Sequence, residues 1–188
     1  FIVLDSVQRQ PRGLENRNKI FTSNGSKWLT IPINSASREQ ILNTEISGTD
    51  WIRSHLDQVH VSYKSTPHYD RAVVRDYYSV IENALEDSLL FSTAICASLN
   101  YLGELFGFKP KLRFASEIEE DHAPKSGPSK LAYLAQKVNA QKYISGVNGK
   151  DYGIEDAFTH TGIEVAYHYF DFNLFGEEPN RPILSFWD

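Results

Sequence analysis

The sequence predicts a single-domain α/β protein with a largely parallel sheet, helices on the faces of that sheet, and a polar loop region near the amino terminus. The second half of the chain alternates between helix and strand patterns, which is typical of parallel sheets. The chain has 188 residues, enough for one sizeable core. Its 41% hydrophobic and 23% charged residues are typical of a folded protein and not of a disordered one.

The amino-terminal elements are predicted to be strands separated by the polar loop. Phe1–Leu4 is a short apolar run that ends abruptly at a polar residue, as a buried strand would. Ser23–Ser26, with the sequence SNGS, has turn chemistry because Asn and Gly accept positive φ angles. Lys27–Ile33 is the next strand, and it ends near Pro32, which cannot donate a ladder hydrogen bond. Ile41–Ser47 is expected to be a third, short strand.

The middle of the chain shows the apolar spacing of helices. Asp50 is a candidate N-cap for a helix over residues 51–63. After Pro67, apolar residues again recur at helical spacing. The pattern predicts two helices that divide near residues 86–88 and end at Gly107.

The last third of the chain alternates between the two patterns. Ser129 is a candidate cap for one helix, and residues 154–162 have the pattern of a shorter one. Three further strands are predicted, at Leu112–Ala115, Tyr143–Ser145 and Glu164–Tyr169. We expect these strands to form one largely parallel sheet with Phe1–Leu4.

The composition argues against several classes of protein. The net charge of −5 does not favour a nucleic acid as partner, and the six histidines show none of the spacings typical of zinc sites. We therefore expect no metal site, and we assign no cofactor. The one cysteine, Cys96, lies in an apolar helical stretch and is expected to be buried and unreactive. A single cysteine excludes an internal disulfide, and no apolar run is long enough to span a bilayer, so we expect a cytoplasmic protein without membrane insertion.

Polar residues at the ends of the predicted strands form part of a candidate ligand site. In open parallel sheets, ligands bind beyond the carboxyl ends of the strands. We therefore expect substrate contacts or catalytic roles for Asp5, Ser116, Glu117, Ser145, Gly146 and Tyr152.

The segment after the first strand is rich in side chains that form hydrogen bonds. Arg17 offers a planar fork that can bind a carboxylate or phosphate through two parallel bonds. Asn18 can both donate and accept, and Gln8 precedes both residues. We expect these three residues to converge with the strand-end residues in one cleft. The alternative is an ordinary solvated loop.

His55 is the candidate general base, because the pKa of a histidine lies near neutrality. Asp5 or Glu117 could orient His55 or act as the base in its place. The alternative for His55 is a structural role as a helix residue packed beside Trp51.

Five segments, in order along the chain, carry a resemblance to a known protein family. The first is FIVLDSVQRQPRGLENRNKIFTSNGSKWLTIPI, with a strand ending in Asp, a following Gln, an RNRI-like motif and a WLTIPV-like strand. The others are WIRSHLDQVHVSYKSTPHY, FASE, KYISGVNGKDY and PILSFWD. Over nearly the whole chain, this pattern resembles the WbqC-like protein family.

The resemblance implies an association with the biosynthesis of O-antigen and lipopolysaccharide, other surface polysaccharides or natural products. A role proposed for the family is glycine transfer that forms an amide on an aminosugar. Family members usually open with a strand and a QPxYFPxxGYF-like segment, which does not occur here, and the chain contains no methionine. We therefore expect that residues 1–188 form one WbqC-like domain that lacks its native N-terminal segment.

The leading functional hypothesis is a transferase that joins a small acyl or aminoacyl group, such as glycyl, to an amine. The acceptor would be a small molecule, a sugar nucleotide or similar amine, and the donor an aminoacyl-tRNA or a carrier-protein thioester. One alternative is a nucleotide-dependent ligase or nucleotidyltransferase, although SGVNGKDY lacks the spacing of a known phosphate loop. The other alternative is a non-catalytic binding module of a polysaccharide pathway. ATP-dependent product formation would identify the first alternative, and ligand affinity without turnover the second.

Overall fold

The protein has helices together with small parallel and antiparallel sheets, which confirms the predicted α/β class. The structure is a computed structural model that describes residues 1–10, 13–34 and 38–169. The chain divides into two compact units. Among the described residues, the first unit consists of Phe1 and Gln8–Leu112, and the second of Ile2–Val7 and residues 113–169. A single domain that lacks a native N-terminal segment stays a prediction.

A β-hairpin is the first regular element of the first unit. Strand β2 (Arg17–Thr22) pairs antiparallel with strand β3 (Gly25–Thr30). Gly25 has a φ of +100°, a conformation that glycine adopts without strain, which confirms the turn predicted from SNGS. Arg17 was expected in a loop but lies in β2. The reason is the alternation of the strand, which buries Ile20 on one face and places Arg17 and Lys19 on the other, where both lie over the Trp28 ring.

Three helices follow the hairpin: α1 (Trp51–Tyr63), α2 (Arg71–Asp87) and α3 (Phe91–Leu105). The predicted division between the second and third is confirmed, and the chain leaves α3 through Gly107 with a φ of +78°. Asp70 caps α2, since its carboxylate accepts from the N–H groups of Ala72 and Val73 at 2.7 and 3.3 Å. Asp50 precedes α1, but its side chain makes no capping hydrogen bond.

The strand predicted over Ile41–Ser47 is wrong. Ile41–Asn43 is a 3-10 helix, and only isolated β-bridges follow in the described chain, at Glu45 and Ile46. The backbone N–H of Ile46 donates to the carbonyl oxygen of Leu89 at 2.7 Å. The N–H of Phe91 also donates to Thr44, whereas Asn34 and Pro32 bond to Glu45 and Ser47. The backbone groups of the segment are therefore divided between two neighbours and form no continuous ladder.

The core of the first unit lies between the helices and one face of the hairpin. Its buried side chains include Ile20, Ile46, Val59, Tyr63, Val74, Ile81, Leu85 and Phe91. Burial of each large apolar side chain contributes roughly 1.5–3 kcal/mol, so this cluster dominates the stability of the unit. Cys96 lies in α3 as predicted, but it is half-buried and not fully buried.

The second unit is built on two parallel strand pairs. Strand β1 (Ile2–Val3) pairs with β4 (Arg113–Phe114), and β5 (Lys142–Gly146) pairs with β6 (Glu164–His168). The predicted parallel pairing is confirmed, but within the described residues the pairs are separate two-stranded sheets and not one sheet. The first pair is only two residues long because helix α4 (Ala115–Ile118) begins directly after β4.

Two more helices complete the described part of the second unit: α5 (Gly127–Lys137) and α6 (Ile154–Phe158), which share a buried apolar cluster. Helix α5 follows Ser126 and not the predicted cap Ser129. Its first turn contains a proline, which has no N–H group and is therefore favourable where backbone N–H groups have no partner within the helix. A 3-10 helix over Val147–Tyr152 follows β5. The segment PILSFWD lies outside the described residues. No helix within the described ranges combines the length and the apolar character that crossing a membrane requires.

Two side chains of α1 fasten the hairpin to the helices. The hydroxyl of Tyr63 accepts a hydrogen bond from the backbone N–H of Phe21 in β2, at 3.1 Å. The imidazole of His55 bonds to the carbonyl oxygen of Thr30 in β3, at 3.2 Å. Residues 55 and 63 lie on the same face of α1, so each strand of the hairpin forms one hydrogen bond with that face, β2 as donor and β3 as acceptor.

We expect Tyr63→Phe to lower the free energy of unfolding by about 1–2 kcal/mol, because it leaves the N–H of Phe21 without its acceptor in a partly buried position. The measurement is urea denaturation followed by circular dichroism. Tyr169→Phe is the matched control, since Tyr169 is 72% exposed and should change stability little. Equal effects of the two substitutions would show that the Tyr63 hydroxyl does not hold the hairpin.

Candidate functional site

A pocket in the first unit is lined by the hairpin, by helices α1 and α2, and by the segment that leads into β2. Its volume is about 280 Å³, which is at the small end for ligand pockets. The polar side chains of its lining are Glu15, Asn16, Arg17, Asn18 and His55. The aromatic side chains are Trp51, Tyr77 and Tyr78. The pocket thus fits one small polar group with an apolar portion.

An aromatic wall holds His55 in place. Trp51 and His55 are one turn apart on α1, and Tyr78 reaches them from α2. The ring centroids are 4.9 Å apart for Trp51 and His55, 6.0 Å for His55 and Tyr78, and 6.3 Å for Trp51 and Tyr78. All three contacts are edge-to-face, the geometry that aromatic pairs prefer. The orientation of the imidazole is therefore restricted from two sides.

The hydrogen bond of His55 selects its tautomer. The Nε2 atom lies 3.2 Å from the carbonyl oxygen of Thr30, which can only accept, so Nε2 carries the proton. The remaining nitrogen, Nδ1, then holds the lone pair of the neutral ring. Burial lowers the pKa of His55 below its ordinary value, and the bond to Thr30 offsets only part of this effect. At neutral pH the side chain is thus an uncharged base.

Two polar side chains from the start of the hairpin form another part of the lining. The Nε of Arg17 donates to the carbonyl oxygen of Gly13 at 3.0 Å, and the guanidinium carbon lies 4.5 Å from the centroid of the Trp28 ring. The side-chain amide of Asn16 donates to the carbonyl oxygen of Ile31 at 2.8 Å. The bond to Gly13 and the contact with Trp28 fix the orientation of the guanidinium, whose planar fork can form a bidentate pair with an anion.

Three of the predicted site residues meet in this pocket, namely Arg17, Asn18 and His55. Gln8 also belongs to the first unit, but it is exposed and forms an isolated backbone bridge with Gln40.

The other predicted site residues belong to the second unit. Asp5 is 4% exposed, and both of its oxygens accept from Ser116, one from the backbone N–H at 3.0 Å and one from the hydroxyl at 2.5 Å. The hydroxyl of Ser145 is buried and donates to the carbonyl oxygen of Gly146 at 3.1 Å. Glu117 and Tyr152 are exposed. That all these residues converge with Arg17 and Asn18 in one cleft stays a prediction.

Sequence patterns did not predict several polar or aromatic residues of the pocket and of the second unit. Glu15 and Tyr78 line the pocket, although neither follows a motif that points to binding. In the second unit, Lys130 is buried and pairs with Glu119 at 2.6 Å, and the hydroxyl of Ser6 donates to the same carboxylate at 2.7 Å. Only the three-dimensional structure brings these side chains together, since positions 6 and 119 are far apart in the chain. Within the described part of the chain, no group of His, Cys, Asp or Glu side chains could hold a metal ion.

The comparison with known proteins identifies the family. The sequence model of the WbqC-like protein family matches residues 1–185. The chain belongs to this family. Over 176 residues this WbqC-like protein is 31% identical to an uncharacterized protein of Mycobacterium tuberculosis, Rv1507c, and the match covers 91% of this chain and 72% of the relative. No solved structure is significantly similar to the chain.

We expect His55 to make the stability of the protein depend on pH. The pKa of His55 is lowered in the folded state, so below about pH 6.5 the unfolded chain binds a proton at this residue before the folded chain does. The stability that neutral His55 contributes to the folded state is complete above that pH. It is lost as the pH falls through the pKa of the folded state. The measurement is urea denaturation at several values between about pH 7.5 and about pH 5. The free energy of unfolding should fall less over this range in His55→Gln than in the wild type.

The matched control for this experiment is His122→Gln, because the side chain of His122 is 74% exposed. This variant should retain the pH dependence of the wild type. A slope that is equal in the wild type and in His55→Gln would contradict the lowered pKa.

Proposed function

We propose that this WbqC-like protein transfers a small acyl or aminoacyl group, such as glycyl, to an amine of a sugar nucleotide or similar metabolite. The reaction would take place in the cytoplasm, in the biosynthesis of surface polysaccharides or natural products. The observation that carries the proposal is His55, a buried and uncharged imidazole that lines a small pocket together with Arg17 and Asn18. Membership in the family supports the same reading.

Acyl transfer to an amine requires a base. The amine nitrogen attacks the carbonyl carbon of the activated donor, a C–N bond forms, and the bond from the carbonyl carbon to the leaving oxygen or sulfur breaks. The nitrogen loses one proton, which Nδ1 of His55 accepts and then delivers to the leaving group. A base with a lowered pKa remains unprotonated at neutral pH and is ready for this step.

The developing negative charge requires donors. In the tetrahedral intermediate the carbonyl oxygen becomes an oxyanion, and donors that are already oriented stabilise it. Arg17 and Asn18 line the pocket and can supply N–H groups for this oxygen or for a phosphate of the substrate. The donor would be an aminoacyl-tRNA ester or a carrier-protein thioester.

The remaining predicted residues keep their proposed roles. Asp5 and Glu117 are alternative bases, although both oxygens of Asp5 already accept hydrogen bonds from Ser116. Gln8, Ser116, Ser145, Gly146 and Tyr152 are proposed substrate contacts.

We expect purified protein to form an amide when it is incubated with amino-sugar nucleotides and either glycyl-tRNA or a glycyl thioester. Mass spectrometry detects the product directly. His55→Gln should lower kcat by about 10²–10⁴-fold, the usual contribution of a general base, with little change in KM. Product that requires ATP would favour a ligase, and binding without any product would favour a non-catalytic module.

Arg17→Lys should weaken substrate binding by about 1–3 kcal/mol, because an ammonium cannot reproduce the two parallel bonds of a guanidinium. The measurement is KM, or Kd from calorimetry, for the anionic substrate. Arg53→Lys is the control, since Arg53 is an exposed residue of α1 outside the pocket lining. Unchanged binding in Arg17→Lys would show that Arg17 does not hold the substrate.

A further inference from the structure

Glu15 lines the pocket, and among the described residues only one oxygen of its carboxylate has a hydrogen-bond partner. Its Oε1 accepts from the backbone N–H of Gln10 at 3.0 Å. Its Oε2 is buried and has no hydrogen-bond partner among the described residues. A buried carboxylate oxygen without a donor is costly, and such atoms are rare in folded proteins. The side chain of Glu15 lines the pocket, so a ligand there that donates hydrogen bonds would satisfy this carboxylate.

The local backbone is built to hold this carboxylate. Glu15 folds back over Gly13, and a Cβ atom at position 13 would collide with the Oε2 atom. The position of the carboxylate therefore depends on the absence of a side chain at residue 13. Within the described part of the chain, no Lys, Arg or His forms an ion pair with Glu15.

The walls around Glu15 suit a cation. Trp51, Tyr77 and Tyr78 line the same pocket, and the faces of aromatic rings attract ammonium groups. An ammonium group also has three N–H donors, so it can satisfy a carboxylate oxygen and still reach a second acceptor. In the same lining, His55 has a lone pair on Nδ1.

We infer that Glu15 determines the specificity of the pocket for a protonated primary amine, which it binds as an ammonium ion. The inference rests on the proposed function and identifies the group by which the acceptor is recognised. Most aliphatic amines are protonated at neutral pH, and an ammonium nitrogen has no lone pair with which to attack. Glu15 would hold the ammonium group by charge. Before the attack, His55 would take one proton from the nitrogen and release it to solvent. After the attack, the neutral His55 would take the second proton and deliver it to the leaving oxygen or sulfur.

The test uses small paired probes and measures binding, not turnover. Glucosamine, ethanolamine and putrescine are compared with their neutral partners glucose, ethylene glycol and 1,4-butanediol. Binding is followed by nuclear magnetic resonance of the side chains of His55 and Trp51 in the full chain. We expect at least one amine to shift these resonances, and its neutral partner not to.

Substitutions at Glu15 and Gly13 test whether the carboxylate binds the amine. Glu15→Gln should weaken amine binding by about tenfold or more, the scale of a hydrogen bond to a charged group. Gly13→Ala should weaken it in the same direction, because it displaces the carboxylate without removing its charge. Glu82→Gln, at an exposed position of α2 outside the pocket lining, should bind amines like the wild type. The thermal unfolding of each variant shows that it is folded.

Three results would overturn the inference: amines and neutral partners bind alike, no amine binds, or amine binding is unchanged in Glu15→Gln. The proposed function fails separately. Amine binding that depends on Glu15, without any acyl transfer, would leave the inference intact and reject the transferase. Transfer that is insensitive to Glu15→Gln would reject only the inference.

Discussion

The first unit depends on the attachment of the β-hairpin to helix α1. Tyr63 and His55 each form one hydrogen bond to a strand of the hairpin, and the buried faces of Ile20 and Leu29 supply the apolar contact. Without this attachment the two-stranded hairpin would be marginal by itself, because an isolated hairpin buries little surface. The pocket exists because the hairpin is held against α1 at this point.

One of these two bonds also sets the chemistry of the pocket. The bond from His55 to Thr30 places the proton on Nε2 and leaves Nδ1 as the basic nitrogen. Burial of the same imidazole lowers its pKa, so its neutral form is favoured in the fold. A residue that holds the hairpin is thus prepared to act as a base, and a substitution there changes stability and the proposed reaction together. The pH dependence of stability and the turnover number separate these two effects.

Much of the fold followed from local patterns. The break between α2 and α3, the glycine that follows α3, and the SNGS turn were predictable because caps, turns and apolar spacing act over a few residues. The strand expected over Ile41–Ser47 was wrong, since its backbone groups bond partly to the α2–α3 connection and partly to residues 32–34. The first strand pair is shorter than expected because α4 starts at Ala115, which the strand pattern of the sequence included.

By itself, the sequence determined the α/β class and the family. It also indicated Arg17, Asn18 and His55 as candidate site residues. Each of these conclusions rests on residue chemistry or local spacing. Only the tertiary structure decided which side chains share a pocket. Glu15 and Tyr78 carry no local signal of binding. One precedes β2 and the other lies in α2, and both line the pocket only in the folded chain. Asp5 and Ser116 are joined across 111 positions, and the tautomer of His55 depends on Thr30, which lies 25 residues away. Contacts of this range are set by packing, which no local pattern records.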